Sequence, residues 1–222
     1  MRCAALFSGG KDSTYAVFLA IEYGYDVSCL VSIVSENLDS YMFHTPSISE
    51  VKKQSEVMGI PLLVQETRGV KEEELKDLKN VIERAKVDFD VEGVITGSVE
   101  SAYQASRVQR ICNELGLECF NPLWQKDQLE LLQDIVRNHF DVIVTSVSAY
   151  PLNRSWLGRK IDEKFIHDVE DLYSRFGINP AGEGGEFETF VLWCPLFGRS
   201  LTVVDEQVSG RNNSWRMEIK VI

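Results

Sequence analysis

Apolar and polar positions along the first half of the chain fall into short blocks whose period switches between that of a strand and that of a helix. Cys3-Ala4-Ala5-Leu6-Phe7 is a continuous apolar run and predicts a buried strand. Residues 14–23 predict a helix that ends before Gly24. The stretch 26–34 (DVSCLVSIV) is rich in β-branched and apolar residues and predicts a second buried strand. A polar loop over 35–45 leads to a helix over 46–58, with Pro46 near its start and Gly59 at its end. Residues 61–67 predict a third strand. Residues 71–86 predict a charged amphipathic helix with Leu75, Leu78, Val81, Ile82 and Ala85 on one face. A fourth strand over 91–96 closes at Gly97, a helix runs over 101–115, and 118–120 opens a fifth strand. Strand–helix alternation of this kind predicts an α/β fold, a doubly wound parallel sheet with helices on both faces.

The pattern changes after Pro122. Residues 127–138 predict a helix, 141–147 (DVIVTSV) a strand, 164–176 a helix, and 177–189 a loop rich in Gly and Glu. Strands are expected at 190–193, 199–204 and 215–222, the last two as an antiparallel pair around Gly210-Arg211-Asn212-Asn213. The chain therefore divides into a doubly wound sheet domain, 1–120, and a smaller C-terminal α+β domain, 121–222. No repeat, low-complexity segment or long linker interrupts it.

Composition narrows the picture. The chain has 222 residues, 44% hydrophobic and 26% charged, which is the balance of an ordinary globular core. No apolar run approaches the roughly 20 residues that span a bilayer, and Met1-Arg2 leads directly into a strand with no signal peptide, so no membrane association and a cytoplasmic location are expected. The formal net charge is −11. Nucleic-acid binders present a basic face to phosphates, so stable nucleic-acid binding is disfavoured. Cys3, Cys29, Cys112, Cys119 and Cys194 form no CxxC, and only His44, His139 and His167 are present to help. Reduced thiols are expected rather than zinc ligands.

The chemistry concentrates in two strings. Ser8-Gly9-Gly10-Lys11-Asp12-Ser13 joins the first strand to the first helix. Backbone amides at a helix start, with the positive end of the dipole behind them, form an anion site, and paired glycines let the backbone approach a phosphate closely. Lys11 adds charge, Ser8 and Ser13 add hydroxyls, and Asp12 suits a Mg²⁺ ion bridging phosphate oxygens. The spacing is neither GxxxxGK[ST] nor GxGxxG. The second string, Gly182-Glu183-Gly184-Gly185-Glu186-Phe187-Glu188-Thr189, combines three carboxylates with three glycines. Its glutamates suit holding a cation, fixing an ammonium group or orienting an amine; the alternative is a solvated acidic turn, against which Phe187 argues for packing.

Weaker candidates surround these. Ile33 lies where the second strand ends, with backbone suited to an adenine edge beyond the carboxyl end of a doubly wound sheet. His44, in an aromatic loop, either contacts a phosphate or is structural. Gly97 and Ser98 open a helix able to lend N–H and hydroxyl groups to an anion. Arg107 and Gln104 share a face of that helix.

The SGGKDS string resembles the pyrophosphate loop of the N-type ATP pyrophosphatases, whose domains are of the HUP/Rossmann-like class. Together with Phe43-His44-Thr45, the segment 97–107, Asn121-Pro122-Leu123-Trp124 and GEGGEFET, it resembles the diphthine–ammonia ligase family over nearly the whole chain. GEGGEFET is the string that separates this family from other ATP pyrophosphatases. The resemblance implies ATP-dependent amidation of diphthine, a modified histidine on elongation factor two, with free ammonia. The diphthine carboxylate attacks the α-phosphate of ATP to give an acyl-adenylate and pyrophosphate, and ammonia then displaces AMP. It implies ATP and Mg²⁺ as cofactors and elongation factor two as partner. Lys11, Asp12, Glu183, Glu186 and Glu188 are implied as catalytic, and Ser8 to Ser13, Ile33, His44, Gly97 and Arg107 as nucleotide contacts. The smaller domain is implied as substrate-binding, and Gln104 of the first domain, the three glutamates and Thr189 are implied as substrate contacts. An alternative is another adenylating pyrophosphatase acting on a small carboxylate or a tRNA base; another is an ATP or AMP sensor without turnover. A homo-oligomer is compatible with the sequence.

Overall fold

Each apolar run of the first half forms a strand, and each amphipathic block a helix laid over the sheet. In the computed structural model, described for residues 1–35, 48–70 and 74–222, the chain folds as two units, Met1–Trp124 and Gln125–Ile222. The first contains β1 (Arg2–Leu6), α1 (Lys11–Glu22), β2 (Asp26–Ser35), α2 (Ile48–Met58) and β3 (Leu62–Thr67), then α3 (Glu74–Phe89), β4 (Gly93–Ile95), α4 (Ala102–Leu115) and β5 (Glu118–Phe120). The sheet order is β3-β2-β1-β4-β5, and all its pairs are parallel. Strand order reverses between β1 and β4, so the crevice that doubly wound sheets use for ligands lies beyond the carboxyl ends of those two strands.

The core of this unit follows from its pattern. Ala4, Cys29, Val31, Ile33, Leu63 and Val94 of the sheet meet Leu78, Val81, Ile82 and Ala85 of α3 and Val108, Ile111 and Cys112 of α4. These are the spacings that place residues on one helix face. Ser101 caps α4 by accepting the Gln104 N–H at 3.3 Å, and Gly116 closes it at φ 64° in the left-handed region.

The second unit contains α5 (Gln128–Arg137), β6 (Asp141–Val147), a 3₁₀ turn (Arg154–Trp156), α6 (Glu163–Phe176), β7 (Phe187–Trp193), β8 (Val203–Arg211) and β9 (Ser214–Val221). Its sheet order is β7-β6-β9-β8, with every pair antiparallel. The α/β sheet and the smaller α+β unit are as the sequence predicts. Asp127 and Asp162 cap α5 and α6, accepting from Glu130 N and Phe165 N at 2.9 and 2.8 Å.

Several boundaries differ from expectation. Helix α1 begins at Lys11 rather than at residue 14, so Lys11, Asp12 and Ser13 form its first turn. The glycine-rich loop ends three residues early: Phe187, Glu188 and Thr189 are strand, because Phe187 packs edge to face on Phe165 at 5.6 Å and Glu188 and Thr189 pair with Ser146 and Val144. The strand expected over 199–204 is instead Val203–Arg211, paired with β9 from Val203↔Val221 to Arg211↔Ser214. It is an exposed edge strand held by its hairpin, so it lacks the apolar run that marks a buried one. The expected helix starts at Pro46 and Lys71, the loop containing Phe43-His44-Thr45, and His44 itself lie outside the described residues. Among the described residues, no helix is long and apolar enough to cross a membrane.

Candidate functional site

Strand β1 delivers the chain to a tight turn whose polar groups are largely engaged with its own backbone. The Ser13 hydroxyl accepts from Ser8 N at 3.2 Å, lies 3.1 Å from the Ser8 hydroxyl and donates to the Gly10 carbonyl at 3.2 Å. Thr14 Oγ1 donates to the same carbonyl at 2.8 Å. The Gly10 N–H reaches Ser8 Oγ at 3.4 Å. Gly10 is the N-cap of α1 and makes no side-chain cap, so the usual way of satisfying first-turn amides without a ligand is absent. Lys11 is 3% exposed and its Nζ sits 2.8 Å from Asp12 Oδ2. Asp12 Oδ1 is buried without a hydrogen-bond partner. An orphaned carboxylate oxygen at a helix start, where the dipole favours anions, fits a divalent cation.

The end of β4 closes in on this turn. A Cβ on Gly97 would stand 2.9 Å from the backbone carbon and oxygen of Asp12 and the nitrogen of Ser13. Only glycine allows β4 to approach the first turn of α1 so closely. Beyond it, Thr96 Oγ1 and Ser98 Oγ lie 3.3 Å apart, and Ser98 Oγ reaches Gln104 Oε1 at 3.5 Å. Gln104 is thus tied to the switch-point end of the sheet. Arg107 is turned back along its own helix, with Nη1 3.4 Å from the Tyr103 carbonyl and Cζ 3.4 Å from the Tyr103 ring centroid. Ile33 places its side chain in the core. Val31 O accepts the Phe7 N–H at 2.8 Å, so by the two-residue period Ile33 turns its backbone groups toward that same edge of β2.

In the second unit the acidic loop is folded on itself. Glu186 Oε1 accepts the Asn179 N–H at 3.1 Å, and Asn179 Oδ1 accepts the Glu183 N–H at 3.1 Å. Gln128 of α5 accepts the Ala181 N–H at 3.0 Å. The Glu186 carbonyl takes the Ser148 N–H at 2.8 Å. Gly182 has φ +76°, and a Cβ there would meet the Phe187 carbonyl at 2.8 Å, so the loop closes only with glycine. Alternation along β7 leaves Glu188 half-buried and turns Phe187 and Thr189 to the buried face. Among the described residues, no three His, Cys, Asp or Glu side chains converge as metal ligands.

The family model described as the diphthamide synthase N-terminal domain matches residues 1–119, and the diphthamide synthase C-terminal domain matches residues 127–221. The chain belongs to the diphthamide synthase family. It is 33% identical to the diphthine–ammonia ligase of Bos taurus over 94% of this chain and 85% of that protein. The identity to the diphthine–ammonia ligase of Homo sapiens is also 33%, over the same shares. The Schizosaccharomyces pombe diphthine–ammonia ligase is 33% identical over 94% of this chain but only 37% of its own length.

Within this member of the diphthamide synthase family, one site residue escaped sequence reasoning. Gln54 of α2 is 0% exposed, and its Nε2 donates to the Gly9 carbonyl at 3.0 Å. The sequence carries a faint signal: a glutamine on the buried face of an amphipathic helix needs a polar partner. The sequence does not name the partner, 45 residues away. The thiols are all free. Burial pushes Cys3 up to about 11 and Cys29 and Cys194 up to about 12. The hydrogen bond between Cys112 and Cys119 raises the first and lowers the second.

Proposed function

We propose that the chain is an ATP-dependent ligase that amidates diphthine on elongation factor two with free ammonia, giving diphthamide, AMP and pyrophosphate. The observation that carries the reading is the start of α1, where a helix without a side-chain cap meets a buried Lys11 paired with the half-buried Asp12. The activity for which the relatives are named supplies the acceptor.

The diphthine carboxylate attacks the α-phosphorus of ATP, the bond to the bridging oxygen of the β-phosphate breaks, and pyrophosphate leaves. Ammonia then attacks the acyl carbon, AMP departs, and the nitrogen loses a proton. No enzyme nucleophile is required, only positioning and stabilisation of phosphate charge. Lys11 and the first-turn amides of α1 take the β- and γ-phosphates, which become more negative as they leave. Lys11 needs little ordering, because burial and Asp12 already fix it. A Mg²⁺ ion, when bound, neutralises phosphate charge, and Asp12 Oδ1 is the atom suited to hold it. Gly97 and Ser98, at the switch point, border the nucleotide, and Gln104 is placed to contact what Ser98 leaves open. Glu183, Glu186 and Glu188 serve the nitrogen chemistry of the second unit by holding ammonium or receiving its proton. Five free thiols suit the reducing cytoplasm.

The test is AMP and pyrophosphate release from ATP with Mg²⁺ and ammonium, with and without elongation factor two carrying diphthine. Release that requires the modified factor, with amide appearing on it, is expected. Release stimulated only by another acceptor keeps the ATP chemistry and removes diphthine.

A further inference from the structure

The segment that leaves β6 and the acidic loop run side by side, joined by the Ser148 N–H to Glu186 carbonyl bond of 2.8 Å. Two residues beyond Ser148, Tyr150 is 68% exposed; Phe176, the last residue of α6, is 41% exposed. The two rings meet edge to face, with centroids 5.6 Å apart and planes at 86°. Perpendicular rings make a corner, and the face of each carries the negative side of its quadrupole. Three residues after Phe176, the Asn179 N–H binds Glu186 Oε1 at 3.1 Å. The other oxygen of that carboxylate is buried without a hydrogen-bond partner. An aromatic corner and an incompletely satisfied carboxylate are therefore carried by the same two chain segments.

Phe176 already attracts a cation: the Arg175 guanidinium carbon lies 5.1 Å from its centroid, held by Asp171 at 3.0 Å. Tyr150 is the more exposed of the two rings, and Phe176 fixes its orientation. We propose that Tyr150, braced by Phe176, recognises a methylated ammonium cation, with Glu186 as the counter-charge. This rests on the proposed function, in which the acceptor is diphthine, whose side chain ends in a trimethylammonium group. Such a group donates no hydrogen bond, so a carboxylate alone does not tell it from a hydrated ammonium. An aromatic face does, because the methylated ion is weakly hydrated and spreads its charge over apolar methyls. The corner thus separates the acceptor's cation from ammonium, the co-substrate.

The experiment titrates the full chain with choline and with its neutral isostere, 3,3-dimethylbutan-1-ol, following the ring resonances of Tyr150 and the amide of Ser148. Choline is expected to bind more tightly than the alcohol. Tyr150→Leu is expected to weaken choline about fivefold, within the range of one exposed-to-desolvated cation–π contact, and Tyr150→Phe to restore it. With diphthine-bearing elongation factor two, Tyr150→Leu raises KM more than it lowers kcat, and Tyr150→Phe restores KM. Equal binding of choline and the alcohol overturns the proposal. So does a Tyr150→Leu chain that binds choline as the unaltered chain does. If AMP release never depends on the modified factor, the ligase reading fails by itself, and the choline titration still decides the corner.

Discussion

The turn after β1 and the loop before β7 both combine glycines with charge, yet they are held in opposite ways. In the turn, side chains close on the turn's own carbonyls: Ser13 and Thr14 on Gly10, Gln54 on Gly9. Its lysine is buried against a carboxylate. In the acidic loop the fixed points are backbone amides taken by Glu186, Asn179 and Gln128, while Glu183, Glu186 and Glu188 stay only half-buried. The first arrangement suits a single polyanion, because fixed groups need no rearrangement when charge develops. The second presents carboxylates on a small rigid frame, which suits a bulky, partly solvated cationic acceptor. Substitutions in the turn should therefore act on ATP, and those in the loop on the acceptor.

The largest effect is expected at Lys11. Lys11→Met removes the one buried cation of the turn and strands Asp12 next to incoming phosphates. AMP release should fall by roughly 10²–10³, the scale for losing one preorganised donor to a transition-state anion. The fall should be the same at saturating acceptor. Steady-state AMP formation measures it, and a loss under threefold would remove Lys11 from the chemistry and erase the distinction between the two loops.

Next comes Gln54→Leu. The leucine leaves the Gly9 carbonyl without its donor in a buried setting, at about 1–3 kcal/mol. Part of that appears as misplacement of Gly9 and Gly10, so KM for ATP should rise about tenfold, and KM for the acceptor should not follow. Gln54→Glu supplies no donor at neutral pH and should behave like leucine, whereas a general packing defect would spare it. Equal changes in both KM values would reduce Gln54 to a structural residue.

Gln54 also marks how far the sequence was legible. The parallel sheet was readable because buried strands are apolar runs and α3 and α4 repeat with helical spacing, both local properties. The turn was readable because six adjacent residues carry its chemistry. Gly97 was visible as a glycine after a strand, but its reason, the closeness of β4 to the first turn of α1, lies in the fold. The pairing of Gln54 with Gly9 joins segments 45 residues apart, and no local period encodes that. β8 was misplaced for a related reason: an exposed edge strand obtains its register from β9, not from its own pattern. The corner of Tyr150 and Phe176 was hidden because its two rings come from separate elements.

Glu186→Gln gives a smaller effect on the other side of the comparison. The amide keeps an oxygen for the Asn179 N–H, so the loop should stay folded, but the counter-charge is gone. KM for the diphthine-bearing factor should rise about fivefold, the scale of a half-exposed charge interaction. KM for ATP should stay within twofold. The paired measurement of both constants is the check, and a change confined to ATP would place this carboxylate with the turn instead.

The smallest effect tests whether any thiol belongs to either loop. Desolvation holds Cys29 and Cys194 up at about 12 and Cys3 at about 11, so at pH 8 these three are almost wholly protonated and inert. A thiol whose pKa is raised on folding stabilises the fold below its unfolded value near 8.5, and that contribution disappears as pH climbs toward the folded value. These cysteines therefore cost nothing at neutral pH, and their contribution is lost progressively as pH rises from about 8.5 toward about 11 for Cys3 and about 12 for Cys29 and Cys194. Cys119 differs, because the hydrogen bond from Cys112 lowers it and it is only half-buried. Iodoacetamide at pH 8 should label Cys119 first, as read by peptide mass mapping. Cys119→Ala should nevertheless leave AMP release within twofold, since its thiol sits on β5, outside the turn and its capping contacts. Loss of turnover in that variant would bring thiol chemistry into the reaction and break the division of labour between the two loops.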